Sequence, residues 1–436
     1  MKKKIGGIKK VISAAMAGVF AITMMSGCGN VRSNSGTGNG TASATSAASA
    51  TQSEPFDEES SKTKKKTAEI ESIINDKFYF NEDSSKRDES YYDGIMAGLD
   101  DPYSVYYTPE EYAKLEEDDG GQYVGIGATV AKNPDTGEIY VVKPLRGSPA
   151  EEAGLKKNDV FVQVDGTNIT TNMELEDVVK MIRGSKGSTA HLKMYREGDS
   201  DYRTFDIKRR KVENVTVDYE MLDGNIGYIT VEEFIDNTAK QFEEAVDTLE
   251  KKGAKSIIVD VRNNPGGLLT AVLEMADYII KDDAKAKGAA SAGLLLETKD
   301  KTGKVIESYS CKDGHSVNLP MVVLANENSA SASEIFTGCM KDYGIATIIG
   351  TTTFGKGIVQ QVIPLDDGSA IKITIAKYFT PAGKDIHKKG IDPDIKVELD
   401  DSIKNETSIP HSKDNQLQRA VKELGGAALA SDTDAD

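Results

Sequence analysis

Twice in its second half the chain runs an apolar stretch into a turn of small and polar residues and then into a helix-patterned segment. The first instance is "KSIIVDVRNNPGGLLTAVLEMADYII" and the second is "PMVVLANENSASASEIFTGCMKDYG", with Gly344 as the helix stop. "NIGYITVEEF" followed by the amphipathic "NTAKQFEEAVDTLEKKG" precedes them in the same style. Strands that alternate with helices imply an α/β architecture whose sites lie at the strand-to-helix turns. At 436 residues the chain has room for two or three domains, so this pattern describes one part of it.

The N-terminus is of another kind. "MKKKIGGIKK" holds five lysines and no acid, the apolar "VISAAMAGVFAITMM" follows, and "SGC" comes next. A basic region, a short apolar region and a small-residue cleavage site make a secretory signal peptide. "MSGC", ending at Cys28, resembles the lipobox of bacterial lipoproteins, with Met25 where leucine is usual. The resemblance implies that Cys28 is lipidated and becomes the first residue of a protein anchored at the extracytoplasmic face of a bacterial membrane. The Gly/Ser/Thr/Ala-rich stretch after it reads as a flexible tether. Removing the five leading lysines takes the net charge from −17 to −22. A balance this acidic disfavours nucleic acid as a partner. Cys311 and Cys339 are the cysteines left after Cys28, too few for a disulfide framework, and they read as free thiols. "CKDGH" lacks a second ligand pair, and neither a metal nor a cofactor is expected.

Between these ends the texture changes twice. Residues 55–118 are charged and helix-patterned, with Ile70, Ile73 and Ile74 on one face and a helix start at Thr108-Pro109. From about residue 122 come short strands separated by turns, interrupted by a helix at "SPAEEAGL" and another over Met173–Gly184. The order of these elements, with "GIGA" at the start and "GSPAEEAGLKKNDVFVQVDG" in the middle, resembles a PDZ domain. That likeness implies capture of a free protein C-terminus, its carboxylate received by the backbone of Val124, Gly125, Ile126 and Gly127. Arg183, in "MIRGSKG", is the candidate for a contact between this domain and the α/β core.

Two turns of the core carry candidate chemistry. In "NENSASASE", Ser329, Ser331 and Ser333 alternate where a strand hands over to a helix. Ser331 and Glu334 fit a capping box, which the local pattern favours, and a serine at such a turn is also well placed as a nucleophile. The Ala332 amide behind it and an amide of Gly266 or Gly267 in "RNNPGGLL" would make an oxyanion hole. A nucleophilic serine needs a base. None of the four histidines sits in a recognisable triad setting, though order in sequence does not exclude one, and Lys356, flanked by glycines and by the apolar Phe354 and Ile358, is the other candidate. Acting as a base requires its pKa to fall from ~10.4 to about 7–8, which burial can supply. "GTTTFGKG" comes within one residue of a nucleotide-binding loop, but Gly357 stands where the Mg²⁺-ligating hydroxyl belongs and a strand, not a helix, follows.

The segment from "NENSASASEIF" through "TTFGKGIVQQVIPL" to "KKGIDPD", together with "DPYS", "TPEEY", "VDVRNNPGG" and "DNQLQRA", resembles the carboxyl-terminal processing, or tail-specific, serine proteases. The resemblance spans nearly all of residues 55–425. It implies Ser331 as nucleophile, Lys356 as general base and Gln360 as the residue that orients the lysine. It also implies an α/β protease core of crotonase-like ββα architecture with an inserted PDZ β-domain and an N-terminal helical arm. The expected organisation is a signal peptide over 1–27, a tether over 28–54, the arm over 55–118, the PDZ domain over 119–210, the protease over 211–400, and a C-terminal helix with an acidic tail over 401–436. The expected activity is endoproteolysis of extracytoplasmic proteins near their C-termini by a homo-oligomeric enzyme. The alternative is a silent PDZ scaffold that captures C-termini without cutting them.

Overall fold

The computed structural model describes residues 61–81, 83–404, 406 and 409–429. The signal segment, Cys28, the tether and the acidic tail beyond 429 lie outside the described residues. No helix among those described is long and apolar enough to cross a membrane.

The chain divides into two units between Tyr91 and Tyr92. The first carries the helix Ser61–Lys77 and the start of the helix Ser84–Ala97. Ile70 and Ile73, expected on one helical face, are each 50% exposed, so no described part of that unit covers them.

The second unit holds the α/β core. Its six-stranded sheet runs Val217–Leu222, Ile226–Val231, Ser256–Asp260, Met321–Ala325, Ala346–Gly350, Ile395–Lys396. The first pair is antiparallel and every later pair is parallel. The two central strands are buried at all positions, as a parallel sheet clad on both faces requires. Alternate residues serve opposite faces. Ile257, Val259 and Val323 pack with Phe242, Met275 and Phe336 of the helices Thr238–Lys251, Leu269–Ile279 and Ala332–Asp342. Ile258, Val322 and Leu324 pack with Leu417, Ala420 and Val421 of the helix Asn415–Glu423. Arg262 fixes that last helix, donating to Asp260 from Nε at 2.9 Å and to its N-cap Asp414 from Nη2 at 2.8 Å.

A second sheet lies beside the strand-to-helix turns. It runs Val105–Tyr107, Ala370–Phe379, Leu294–Lys299, Val305–Ser310, with Ile358–Pro364 also paired to Ala370–Phe379. "GIVQQVIPL" is therefore a strand, as its sequence indicates, and Lys356 stands just ahead of it.

The middle of the chain makes its own β-domain. Strands Ala128–Lys132, Ile139–Pro144, Val160–Val164, Thr189–Tyr195 and Arg203–Lys208 form the sheet. Ile126, Val141, Phe161, Val178, Leu192 and Ile207 form a core separate from that of the α/β part. The chain enters through Gln122–Gly125 and leaves through Arg210–Glu213, and these two strands pair antiparallel. The domain is thus inserted on a two-stranded neck. Ser148 caps the helix Pro149–Glu152 by accepting from Glu151 N at 3.2 Å. The helix expected over Met173–Gly184 forms over Leu175–Ile182 alone, because Glu174 and Arg183 take extended backbone at ψ 150° and 170°.

Candidate functional site

The two serine- and glycine-bearing turns meet through Asn264, which is fully buried. Its Oδ1 accepts from Gly266 N at 2.8 Å, and its carbonyl accepts from Ala330 N at 3.0 Å and Ser333 Oγ at 2.9 Å. The approach leaves no room for a side chain at Gly266: a Cβ there would lie 2.8 Å from both Ala330 O and Ser331 Cβ. The same hydrogen bond decides between the two glycines. Gly266 N–H is engaged by Asn264, whereas Gly267 N–H and Ala332 N–H have no partner among the described residues.

The three serines separate by what their hydroxyls do. Ser329 and Ser333 are fully buried, and their Oγ atoms donate to Val261 O at 2.8 Å and Asn264 O at 2.9 Å. Ser331 opens into a cleft of about 280 Å³ that Ala332, Lys356, Gln360 and Gly267 also line. Its backbone is at φ 54°, ψ −113°, a region that a non-glycine residue occupies only under strain. The strained serine stands at the N-cap of the helix Ala332–Asp342. The positive end of the helix and the free amides behind Ser331 therefore face the same point.

Glu334 holds this turn to the lysine loop. Its Oε2 accepts from Ser331 N at 3.0 Å and Lys356 N at 2.8 Å, and its Oε1 accepts from Gly355 N at 2.7 Å and Thr353 Oγ1 at 2.6 Å. The bond to Ser331 N is the return half of the expected capping box. The Glu334 carboxyl is fully buried, and burial raises its pKa although all four donors pull it down. Tyr378, buried between the two segments, has Oη 2.6 Å from Lys356 O and 3.0 Å from Ser331 O, and donates its proton to this pair of carbonyls.

Lys356 is half-buried, and its pKa lies below the ordinary value of 10.5. Burial is the main cause and the charge of Lys372 adds to it, while Asp101 and Glu334 oppose. Of the two neighbours expected to desolvate it, Ile358 is buried but Phe354 is 55% exposed. The Tyr103 ring lies under the ammonium instead, 4.8 Å from Nζ to the ring centre. Among the described residues no hydrogen bond joins Lys356 Nζ to Ser331 Oγ. Gln360, on the strand Ile358–Pro364, lines the same cleft, and its buried Nε2 has no partner among the described residues.

In the β-domain, Gly125, Ile126 and Gly127 border a groove of about 220 Å³ lined also by Val130, Val179, Ile182 and Arg183, whereas Val124 does not line it. Ile126 O and Gly127 O accept from Ala150 N at 2.8 Å and Leu145 N at 3.0 Å, while the N–H groups of both residues have no partner among those described. Gly127 has φ +78°, and a Cβ there would lie 2.4 Å from Ser148 Cβ, so this turn needs glycine. Val124 O accepts from Gly184 N at 3.3 Å, and Gly125 pairs with Arg210 in the neck. Arg183 does not reach the α/β core. It pairs with Glu117 Oε1 at 3.3 Å on the helix Pro109–Asp119 and lies over the Tyr123 ring at 4.8 Å.

Both later cysteines are free, Cys339 buried and Cys311 partly exposed. Asp277, Asp282 and Asp313 are the one group of possible metal ligands among the described residues. Asp277 and Asp282 already accept from Lys312 N and Gly314 N, which accounts for their place under that loop.

A family model for peptidase family S41 matches residues 225–397, and one for the PDZ domain matches residues 140–196. The chain is 39% identical over 344 residues to a protein named as a CtpA-like serine protease in Staphylococcus haemolyticus, covering 78% of this chain and 66% of that one. It is also 39% identical over 344 residues to the carboxy-terminal processing protease CtpA of Bacillus subtilis, covering 79% of this chain and 71% of that one. The match thus spans about two thirds of the length of these relatives. A solved structure assigned as an S41 protease of Bacteroides fragilis shares the fold, with a TM-score of 0.52 at 18% identity over 80% of this chain and 92% of that one.

Glu334→Gln places an NH₂ group where two donors now point. The expected result is a loss of about 1–3 kcal/mol in unfolding free energy, measured by urea denaturation. Unchanged stability would show that the carboxylate does not hold the two segments together.

Proposed function

The chain belongs to peptidase family S41, and from that premise we propose that it is a serine endopeptidase that cuts protein substrates near their C-termini with a Ser331–Lys356 dyad. The observation that carries the proposal is the single cleft shared by Ser331, Lys356, Gln360, Ala332 and Gly267. Ser331 Oγ attacks the peptide carbonyl while the neutral Lys356 amine takes its proton. The amides of Ala332 and Gly267 bind the oxyanion, the amine leaving group takes the proton back from Lys356, and water then hydrolyses the acyl-enzyme. Gln360 orients the lysine. As part of this reading the core is assigned crotonase-like ββα architecture, on the parallel strands Ile226–Val231, Ser256–Asp260 and Met321–Ala325, each of which leads to a helix.

The substrate's free C-terminus docks in the β-domain groove, its carboxylate on the free amides of Ile126 and Gly127 and its last side chain among Val130, Val179 and Ile182. The scaffold alternative has one observation on its side, the missing hydrogen bond between Ser331 and Lys356. Incubation with an unstructured protein separates the two readings, since a scaffold leaves it uncut. The protein acts outside the cytoplasmic membrane, anchored through lipidated Cys28, as the basic and apolar N-terminus indicates. It assembles as a homo-oligomer, for which the exposed Ile70, Ile73, Phe78 and Phe80 supply apolar surface.

Ser331→Ala and Lys356→Ala each abolish cleavage, whereas Ser329→Ala and Ser333→Ala keep it at reduced stability. Because only the neutral amine accepts a proton, kcat/KM rises with pH through a midpoint below 10.5, the ordinary lysine value, and levels off above that midpoint. A profile already flat at mildly acidic pH would point to another base. Amidating a substrate's C-terminus removes the charge that the turn binds, and is expected to raise KM about 10- to 100-fold. Equal KM for amidated and free-ended substrates would remove the docking role from the groove. Cys28→Ser is expected to move the protein out of the membrane fraction with its peptidase activity intact, and its retention there would contradict lipid anchoring.

A further inference from the structure

Among the described residues, the Lys356 ammonium makes no hydrogen bond and no ion pair. Its one close partner is the face of Tyr103, 4.8 Å away. The ring is not there by chance of a loose loop. Asp101 Oδ2 accepts from Ser104 Oγ and Thr374 Oγ1, each at 2.6 Å, and Thr374 N donates to Ser104 Oγ at 3.1 Å. The loop then continues into the strand Val105–Tyr107, which pairs with the strand Ala370–Phe379. Thr374 is itself the register partner of Gln360. The segment 101–104 is therefore pinned to the sheet at the position opposite Gln360, and Tyr103 projects from it to Lys356. The Tyr103 hydroxyl has no partner among the described residues, so the ring is placed by its backbone, not by its oxygen.

We propose that Tyr103 is a positioning residue of the dyad: its ring face seats the protonated Lys356 side chain out of hydrogen bonding with Ser331, and the lysine becomes the base on leaving that seat. This rests on the reading of Lys356 as the base. The groups that face the ammonium come from three elements. Lys372 on the strand Ala370–Phe379 repels it, while Asp101 in the pinned loop and Glu334 in the helix Ala332–Asp342 attract it. Asp119 walls the same cleft, and His387 packs its backbone against Gly357. Against this field the ring adds an attraction that acts on the charged form alone, because a π face draws a cation and not an amine.

The test compares Tyr103→Leu, which keeps apolar cover over the lysine but removes the ring, with Tyr103→Phe, which keeps the ring. In the Ser331→Ala full-length protein, acetylation of Lys356 by acetic anhydride is followed against pH by mass spectrometry. Tyr103→Leu is expected to lower the labelling midpoint by about 0.4–1.5 pH units, the worth of one cation–π contact, while Tyr103→Phe leaves it in place. With Ser331 intact, the acid limb of the kcat/KM profile moves by the same amount in the leucine variant. An unmoved labelling midpoint in Tyr103→Leu, or an equal shift in Tyr103→Phe, overturns the proposal. A labelling midpoint that moves while the acid limb stays leaves the ammonium on Tyr103 but removes Lys356 as the base, which separates the failure of this inference from the failure of the functional reading.

Discussion

One buried carboxylate organises the cleft. Glu334 accepts four hydrogen bonds, from the serine turn on one side and the lysine loop on the other. Every partner is a donor, so only an ionised carboxylate satisfies the set. Hydrogen bonds to a charged group contribute about 1.5–3 kcal/mol each, while moving the charge out of water costs several. The raised pKa shows which side wins for Glu334 itself: burial outweighs the donors. What the carboxylate supplies is geometry. It fixes two segments, separated by more than twenty residues in sequence, at one registered distance.

That geometry is what permits the conformation of Ser331. A non-glycine residue at φ 54° costs about 1–3 kcal/mol, and such a residue persists only where its surroundings over-determine it. Here they do. Glu334 holds Ser331 N, Tyr378 holds Ser331 O, and the absent side chain of Gly266 lets the neighbouring turn close against it. Release of any one leaves the turn free to relax toward an ordinary helix cap, with its hydroxyl directed elsewhere. Ser329 and Ser333 are not strained in this way, and their hydroxyls serve the backbone.

Much of this was legible in the sequence, for reasons that are local. A strand followed by a serine-rich turn and a helix announces a site at the turn, and adjacent glycines announce a close backbone approach. The strand after Lys356 excluded a nucleotide loop on pattern alone. What could not be read were contacts made across space. Asn264 settles which glycine keeps a free amide, yet nothing in "RNNPGG" tells its side chain from a turn former. Phe354 looked like cover for Lys356 because it is next in line. The actual cover is Tyr103, about 250 positions earlier, and only the pairing of Val105–Tyr107 with Ala370–Phe379 brings it there. Arg183 likewise finds Glu117, not the core, because the neck sets the β-domain beside the helix Pro109–Asp119.

That helix ties the two sites together physically. Glu117 and Asp118 line the groove of the β-domain, and Leu115 and Asp119, on the same final turns, line the cleft of Ser331. The neck is bound at the same place: Asn237 Nδ2 lies 3.2 Å from both Gly121 O and Asn214 O, and Gln241 Nε2 donates to Asn214 O at 2.8 Å. Asn237 and Gln241 begin the helix Thr238–Lys251, whose Phe242 packs in the core with Phe336 of the helix that Ser331 caps. The groove and the Ser331 cleft are therefore lined in part by side chains of one helix. Arg183 of the groove pairs with Glu117, and Glu117 lies about half a turn from Asp119 of the cleft.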